Sequence, residues 1–276
     1  PPDNFQEDPA PVLAHRTSPT NLGLYLLSVV CARDFGWIGT RDAVARLEAT
    51  LGTMSELPRF RGHFYNWYDT SDLRPLDPRY VSSVDSGNLA GHLIALANTC
   101  REWQSDSLRA SPRLAGVADA IDIAREEAAR LREGRRTQTV TWGQLDDALT
   151  GLATAANRAA LDGEDLAQRL AALAEQAETM ADIARAFAIE RGGDSGADML
   201  FWVQASLNSI AAHRRDLGPE SDATPPTHGR LATLEATTRA MALEMQFDFL
   251  LDRERMLLSI GYLVPEGCLL YTSPSP

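Results

Sequence analysis

The side chains best able to do chemistry in this chain lie between Arg59 and His92, in the stretch RFRGHFYNWYDTSDLRPLDPRYVSSVDSGNLAGH. Its first part sets Phe60, Phe64, Tyr65, Trp67 and Tyr68 among Arg59, Arg61, His63, Asn66 and Asp69. Rigid aromatic faces beside fixed hydrogen-bonding groups suit a sugar ring, which offers an apolar C–H face and a rim of hydroxyls that need partners. Glycoside chemistry needs more than binding. Two carboxylates must flank the bond, about 5–5.5 Å apart for retention or roughly 6.5–9.5 Å for inversion. On residue type Asp69 and Asp85 are the candidate catalytic pair. Neither is accompanied by the Glu in an apolar pocket expected of a general acid.

The candidate substrate-binding residues are Arg16, Asn21, His63, Tyr65, Asn66, Trp67, Tyr68, Asp69, Asp85, Asn88 and His92. Plainer duties compete for these residues. The aromatics can fill a core where helices meet, Phe64 and Trp67 first among them, yet burying the five interleaved polar groups unpaired would be costly. In VDSGNLAGH, Asp85 and Asn88 stand on either side of a Gly turn at a helix N-terminus. Asp85 or Ser86 can cap the free N–H groups there, and one carboxylate can both cap and meet a hydroxyl. In HRTSPTN, Thr17, Ser18 or Thr20 can cap the following helix while Arg16 and Asn21 face the same cleft. His63 and His92 stand at no spacing with a carboxylate that suits zinc or iron, so no metal is expected. Asp252–Arg255, DRER, reads as a surface ion-pair cluster.

Several elements must position these groups. Pro1, Pro2, Pro9 and Pro11 keep the start extended. Leu22, Tyr25, Leu26, Val29 and Val30 then recur at helical spacing, and Gly36 and Gly39 end that helix. Thr40 opens a second helix over Arg41–Met54, with Val44, Leu47 and Leu51 inward. Beyond the aromatic stretch, a turn-rich link leads to a strand-like run, Tyr80–Val84, and the Asp85–Asn88 turn opens a helix over Leu89–Cys100. Ala, Glu, Arg and Leu dominate from Ser111 to Asp248, where helices are expected near 111–133, 142–161, 164–191, 196–216 and 229–248. Thr141 before Gln144, and Asp162 before Asp165, are their candidate caps. Met256, Leu258, Ile260 and Tyr262 alternate as in a strand entering a hairpin at Pro265–Gly267. Helix, loop, helix, functional loop, short strand, helix is the grammar of a helical-hairpin barrel whose rim loops carry the chemistry.

A chain of 276 residues can bury a sizeable core in one or two domains. The net charge of −12, with every fixed side-chain cation an Arg, excludes nucleic acid as a main partner. Cys31, Cys100 and Cys268 are too few and too scattered for a disulfide framework or metal site, which fits a reducing compartment. The apolar run Leu22–Ala32 is too short to span a bilayer, which takes about 20 apolar residues, so the segment reads as soluble with no membrane span.

The blocks PPDNFQEDP, HRTSPTNLGLYLLS, ARDFGWIGT, RFRGHFYNWYDT, LRPLDPRYVSSVDSGNLAGHL and FDFLLDRERMLLSIGY together resemble the central region of cyclic β-1,2-glucan synthases, large bacterial inner-membrane enzymes. The resemblance is strong over residues 1–105 and 245–267 and general between them. It implies an all-α fold, an incomplete (α/α)6 toroid of glucoamylase-like type with a helical insertion and a short β-hairpin element. The division it implies is 1–105 for the first part of the barrel, 106–245 for the insertion, 246–267 for the return to the barrel, and 268–276 as a tail foreign to the pattern. In such a synthase a separate glycosyltransferase region uses UDP-glucose, and the central region, itself without a cofactor, is implicated in closing the linear glucan into a ring by retaining transglycosylation. The implied partners are the β-1,2-glucan chain and the rest of the same polypeptide, with this segment on the cytoplasmic side. Related glucanases carry an acidic motif where this chain has Asp85-Ser86-Gly87-Asn88, which carries Asp85 and Asn88 over as substrate-site residues. Further barrel helices follow the SIGY block in the family, so the acid/base and nucleophile are expected beyond residue 276. Hydrolysis of β-1,2-glucan and non-catalytic carbohydrate binding are the competing readings.

Overall fold

The computed structural model describes residues 1–105, 110–133, 139–158, 165–192, 196–220 and 225–271. Among them the fold is all-α in class, with a few short strands. The helices are α1 (Pro19–Asp34), α2 (Thr40–Glu56), α3 (Ser83–Ser105), α4 (Ala110–Arg130), α5 (Trp142–Asn157), α6 (Leu166–Arg191), α7 (Ala197–Leu217) and α8 (Thr227–Leu243). The chain forms two compact units. One takes Pro1–Val30, Val44–Asp106 and Pro225–Pro276, and the other takes Cys31–Ala43 and Ser107–Thr224.

The first unit is built on α3 lying against α8. Leu89, Leu93, Leu96, Ala97 and Cys100 recur every three or four residues on α3, and Leu231, Leu234, Thr238 and Met241 do so on α8, so each helix buries one stripe. Outside that seam Arg101 donates to Glu235 Oε1 (2.8 and 2.6 Å) and Arg239 to Asn98 Oδ1 (3.0 Å), exposed contacts that add little. Short antiparallel pairings gather the loops: Arg16–Thr17 with Tyr68–Asp69, Arg59–Phe60 with Phe64–His63, and Tyr80–Ser82 with Gly261–Leu263. Arg61 and Gly62 both take positive φ (48° and 81°), the backbone that a two-residue hairpin turn demands. Gly62 has a second reason, since a Cβ there would lie 2.1 Å from the Glu244 carbonyl oxygen.

The second unit contains a four-helix bundle. α4 packs on α5, α5 on α6, α6 on α7 and α7 back on α4. Its core of aliphatic residues, Met and one Phe includes Val117, Ile121, Leu145, Leu149, Leu170 and Phe187, all fully buried. Thr141 and Gln144 form the reciprocal capping box expected at the start of α5. Asp165 caps α6 by accepting from Ala167 N (3.1 Å), while Asp162 lies outside the described residues.

Several expectations shift. The stretch 106–245 divides, because Ser107–Thr224 falls in the second unit while α8 buries its stripe against α3. α8 stops at Leu243 rather than 248, where the chain turns back so that Gln246 N donates to Arg61 O (3.2 Å). The helix expected over Leu89–Cys100 begins at Ser83 and takes in the whole Asp85–Asn88 segment. Ser82 is the cause: its hydroxyl accepts from Asp85 N (3.2 Å), and Gly87, with open space around it, is tolerated in the helix. The hairpin at Pro265–Gly267 is present, and its second strand, Cys268–Leu270, pairs with Gly261–Leu263 although it was expected to fall outside the pattern. Tyr271 then donates to Asp252 Oδ2 (3.0 Å).

Candidate functional site

The N-terminal turns of α1 and α3 meet at one hydrogen bond, from the Thr20 hydroxyl to Asp85 Oδ1 (2.5 Å). Ser18 caps α1 by accepting from Asn21 N (3.2 Å), and Pro19 suits the first helical position. That leaves Thr20 one residue into the helix with its hydroxyl free to cross. Asp85 sits in the first turn of α3, where a carboxylate is favoured by the unpaired N–H groups of the helix start. Two turns further along α3, the His92 ring lies over Gly23, where a Cβ would come within 2.3 Å of His92 Nδ1.

Asn66 completes the junction. Oriented by its neighbours, its side-chain nitrogen donates to Asp85 Oδ2 (3.0 Å), and its oxygen accepts from Tyr80 Oη (2.5 Å) and Trp67 Nε1 (2.8 Å). Its backbone N–H donates to Tyr80 O (2.9 Å). Asn66 is only 6% exposed, whereas Trp67, Tyr80 and Asp85 are half-buried, so the network has a sealed side and a solvent side. Burial, and secondarily the Asp85 charge, raise the Tyr80 phenol above its ordinary value, which keeps it a donor to Asn66.

Around this network the expected residues separate by duty. Arg16 lies over the Trp67 ring (4.7 Å to its centroid) and pairs with Asp3 (3.1 Å), which also accepts from Asn21 Nδ2 (3.1 Å). Asp69 is opposite Arg16 in the strand register, and its Oδ1 accepts from Ser71 N (2.7 Å), the first cause of a carboxyl held below the usual range. Tyr65 is half-buried and stands edge-on to Tyr68, and Asn88 is exposed on α3. His63 and Tyr68 do not reach solvent. His63 Nε2 donates to Gln246 O (2.8 Å) with Phe247 and Phe249 edge-on to the ring, and burial lowers its pKa. Tyr68 Oη donates to Pro58 O (2.6 Å) and accepts from Tyr65 N (2.8 Å), and burial pushes its phenol well up. Both hold the loop from within.

Thr20, Tyr80, Ser82 and Asp3 were not among the expected site residues. The signal for Tyr80 and Ser82 was present, since alternation along the strand puts both on one face just before Asp85. Thr20 could not be read from spacing, because its partner is 65 residues away. Among the described residues no group of His, Cys, Asp and Glu is arranged to hold a metal ion, and no helix is long and apolar enough to cross a membrane.

A half-buried Trp, a Tyr hydroxyl and a carboxylate, all locked by one buried amide at two helix N-termini, define a preorganised polar–aromatic surface on a helical scaffold. No family model matches the chain. The cyclic beta-(1,2)-glucan synthase NdvB of Rhizobium meliloti (strain 1021) is 41% identical to it over 265 residues, and that match takes in 96% of this chain. The similarity seen in the sequence blocks is thus continuous through nearly all of the chain, the helical bundle included. The chain spans 9% of the length of that relative.

Proposed function

We propose that this chain holds a β-1,2-glucan within a cyclic glucan synthase and supports closure of the ring by retaining transglycosylation. The observation that carries this reading is the Thr20–Asp85–Asn66 junction with Trp67 and Tyr80 fixed to it. Such a surface stacks a pyranose face on the indole and offers hydroxyl-binding groups that cost no reordering on binding. In retaining transfer a carboxylate displaces the glycosidic oxygen as an acid protonates it, and an incoming chain hydroxyl then replaces the carboxylate and gives up its proton. Asp85 has each oxygen committed to a side-chain donor and Asp69 has one held by a turn, so both are assigned to holding substrate and loop. The α3–α8 pair, with loops gathered at helix N-termini, supports an (α/α)6 toroid as the scaffold. We propose the remainder of a larger inner-membrane polypeptide as partner, this segment facing the cytoplasm, with no cofactor of its own.

The test is product analysis on an intact synthase carrying Asp85→Asn or Trp67→Ala. Ring yield is expected to fall at least 10-fold while UDP-glucose-dependent elongation continues. Wild-type ring yield in both variants sinks the proposal, and reducing-end products from the unaltered enzyme would make the reaction hydrolysis instead.

A further inference from the structure

The sequence block ARDFGWIGT takes no part in the site just described, yet the second unit is built to display its tryptophan. Gly36 takes positive φ (78°), and a Cβ there would lie 2.0 Å from Pro112 O. Its carbonyl accepts from His213 Nε2 (2.7 Å) and from the Ser209 hydroxyl (3.3 Å), both donors buried. Gly116 lets α4 close on the same loop, since a Cβ there would lie 2.2 Å from Gly36. Just beyond, the Asp216 carboxylate accepts from Thr40 N (2.6 Å) and Arg41 N (3.1 Å), tying down the start of α2. This loop does not move freely.

On that anchored loop Trp37 is 50% exposed. Its indole N–H donates to Asp119 Oδ2 (2.8 Å), which fixes the ring plane, and Phe35 lies beside it with centroids 5.2 Å apart. Trp37, Trp202, Asp119 and Asp122 share the lining of an open hollow of about 470 Å3, within the range of ligand sites. Phe201, 65% exposed, stands edge-on to Trp202. A rigid, solvent-facing indole is a surface prepared before binding.

The lining also selects by chemistry. Two carboxylates in the lining, on a chain of net charge −12, disfavour phosphates and acidic sugars. Asp122 is paired with Arg125 (3.2 Å) and Asp119 is engaged by Trp37, so what they offer is spare acceptor capacity for hydroxyl groups. A ligand with flat C–H faces and a neutral hydroxyl rim fits both features. Resting on the carbohydrate reading above, we infer that the Trp37–Trp202 hollow is a second glucan-holding site, stacking glucose units on its indoles without acting on them.

The experiment is an NMR titration of the whole chain with a linear β-1,2-linked glucooligosaccharide, following the indole N–H signals. Those of Trp37 and Trp202 are expected to shift saturably. Trp37→Ala should weaken that response at least 10-fold, Asp119→Asn several-fold, and Trp37→Phe least, with Trp67 still responding in each. A Trp67 response with Trp37 and Trp202 silent overturns the second site and leaves the proposed function standing. Response at Trp37 and Trp202 with Trp67 silent does the reverse. A parallel titration with choline that shifts Trp37 more strongly than the glucan overturns the inference in favour of a cation site. Folding of each variant is checked by whether its remaining indole signals keep their places.

Discussion

The two units each suspend a loop from a buried histidine, but they spend the loop differently. In the first, His63 holds Gln246 O while side chains from separate loops and helices bond to one another through Asn66, so the polar groups themselves form the surface. In the second, His213 and Ser209 grip the backbone of Gly36, Asp216 grips the backbone of Thr40 and Arg41, and the surface presented is aromatic. The first arrangement depends on side-chain identity at several positions. The second depends on one backbone conformation.

The sharpest way to break that contrast is Gly36→Ala. Left-handed strain and the collision with Pro112 O together predict a loss of about 2–4 kcal/mol, seen as a lowered midpoint of thermal unfolding. Gly52→Ala, in open space on α2, is the control and should raise the midpoint slightly. An unchanged midpoint in the Gly36 variant would mean that the loop is not held as described.

Asn66→Ala should cost about 2–3 kcal/mol, because Asp85, Tyr80 and Trp67 all lose a partner at once. Combined with Asp85→Asn, the losses should be less than additive by about 1 kcal/mol, measured by chemical denaturation. Strict additivity would show that the two side chains do not act together.

Acid gives the smallest effect, and it sharpens the likeness between the units. Both histidines donate from Nε2, leave Nδ1 buried without a partner, and have pKa values lowered by burial. A lowered pKa means that the unfolded chain takes up the proton first. The stability each provides is therefore whole above the ordinary value of 6.5 and is lost as pH falls below it toward the folded value. Burial is the main cause at both. At His213 Arg113 adds to the lowering while the bond to Gly36 O and the Asp216 and Asp42 charges oppose it, and at His63 the bond to Gln246 O and the Asp248 charge oppose it. Replacing either His by Gln should flatten the pH dependence of unfolding between pH 7 and 5, measured by chemical denaturation across that range. Unchanged slopes would place the sensitivity elsewhere.

Much of the fold was legible in the residues. Leu22, Leu26, Val29 and Val30 announced α1, Thr141 and Gln144 announced their capping box, and the alternation before Pro265 announced a hairpin, because helix periods, caps and turns are fixed by neighbours a few positions apart. The aromatic–polar stretch was legible as a place where chemistry gathers for the same local reason. The start of α3 was misplaced by six residues, since Gly87 and Asn88 look like a turn until the Ser82 cap is seen to carry the helix through them. Which side chains of that stretch face inward was not legible either. His63 and Tyr68 are sealed while Trp67 and Asp85 are not, and that depends on Gln246, Pro58 and Thr20 arriving from far along the chain.

The sequence by itself determined most helix positions, the Thr141–Gln144 cap, the net negative charge and the likeness to a glucan synthase, all properties of residue type and short spacing. Only the tertiary structure decided that Asp85 joins Thr20 to Asn66 and that Gly36 holds Trp37 toward solvent. Those outcomes rest on hydrogen bonds and steric limits between residues that meet only when the helices have packed.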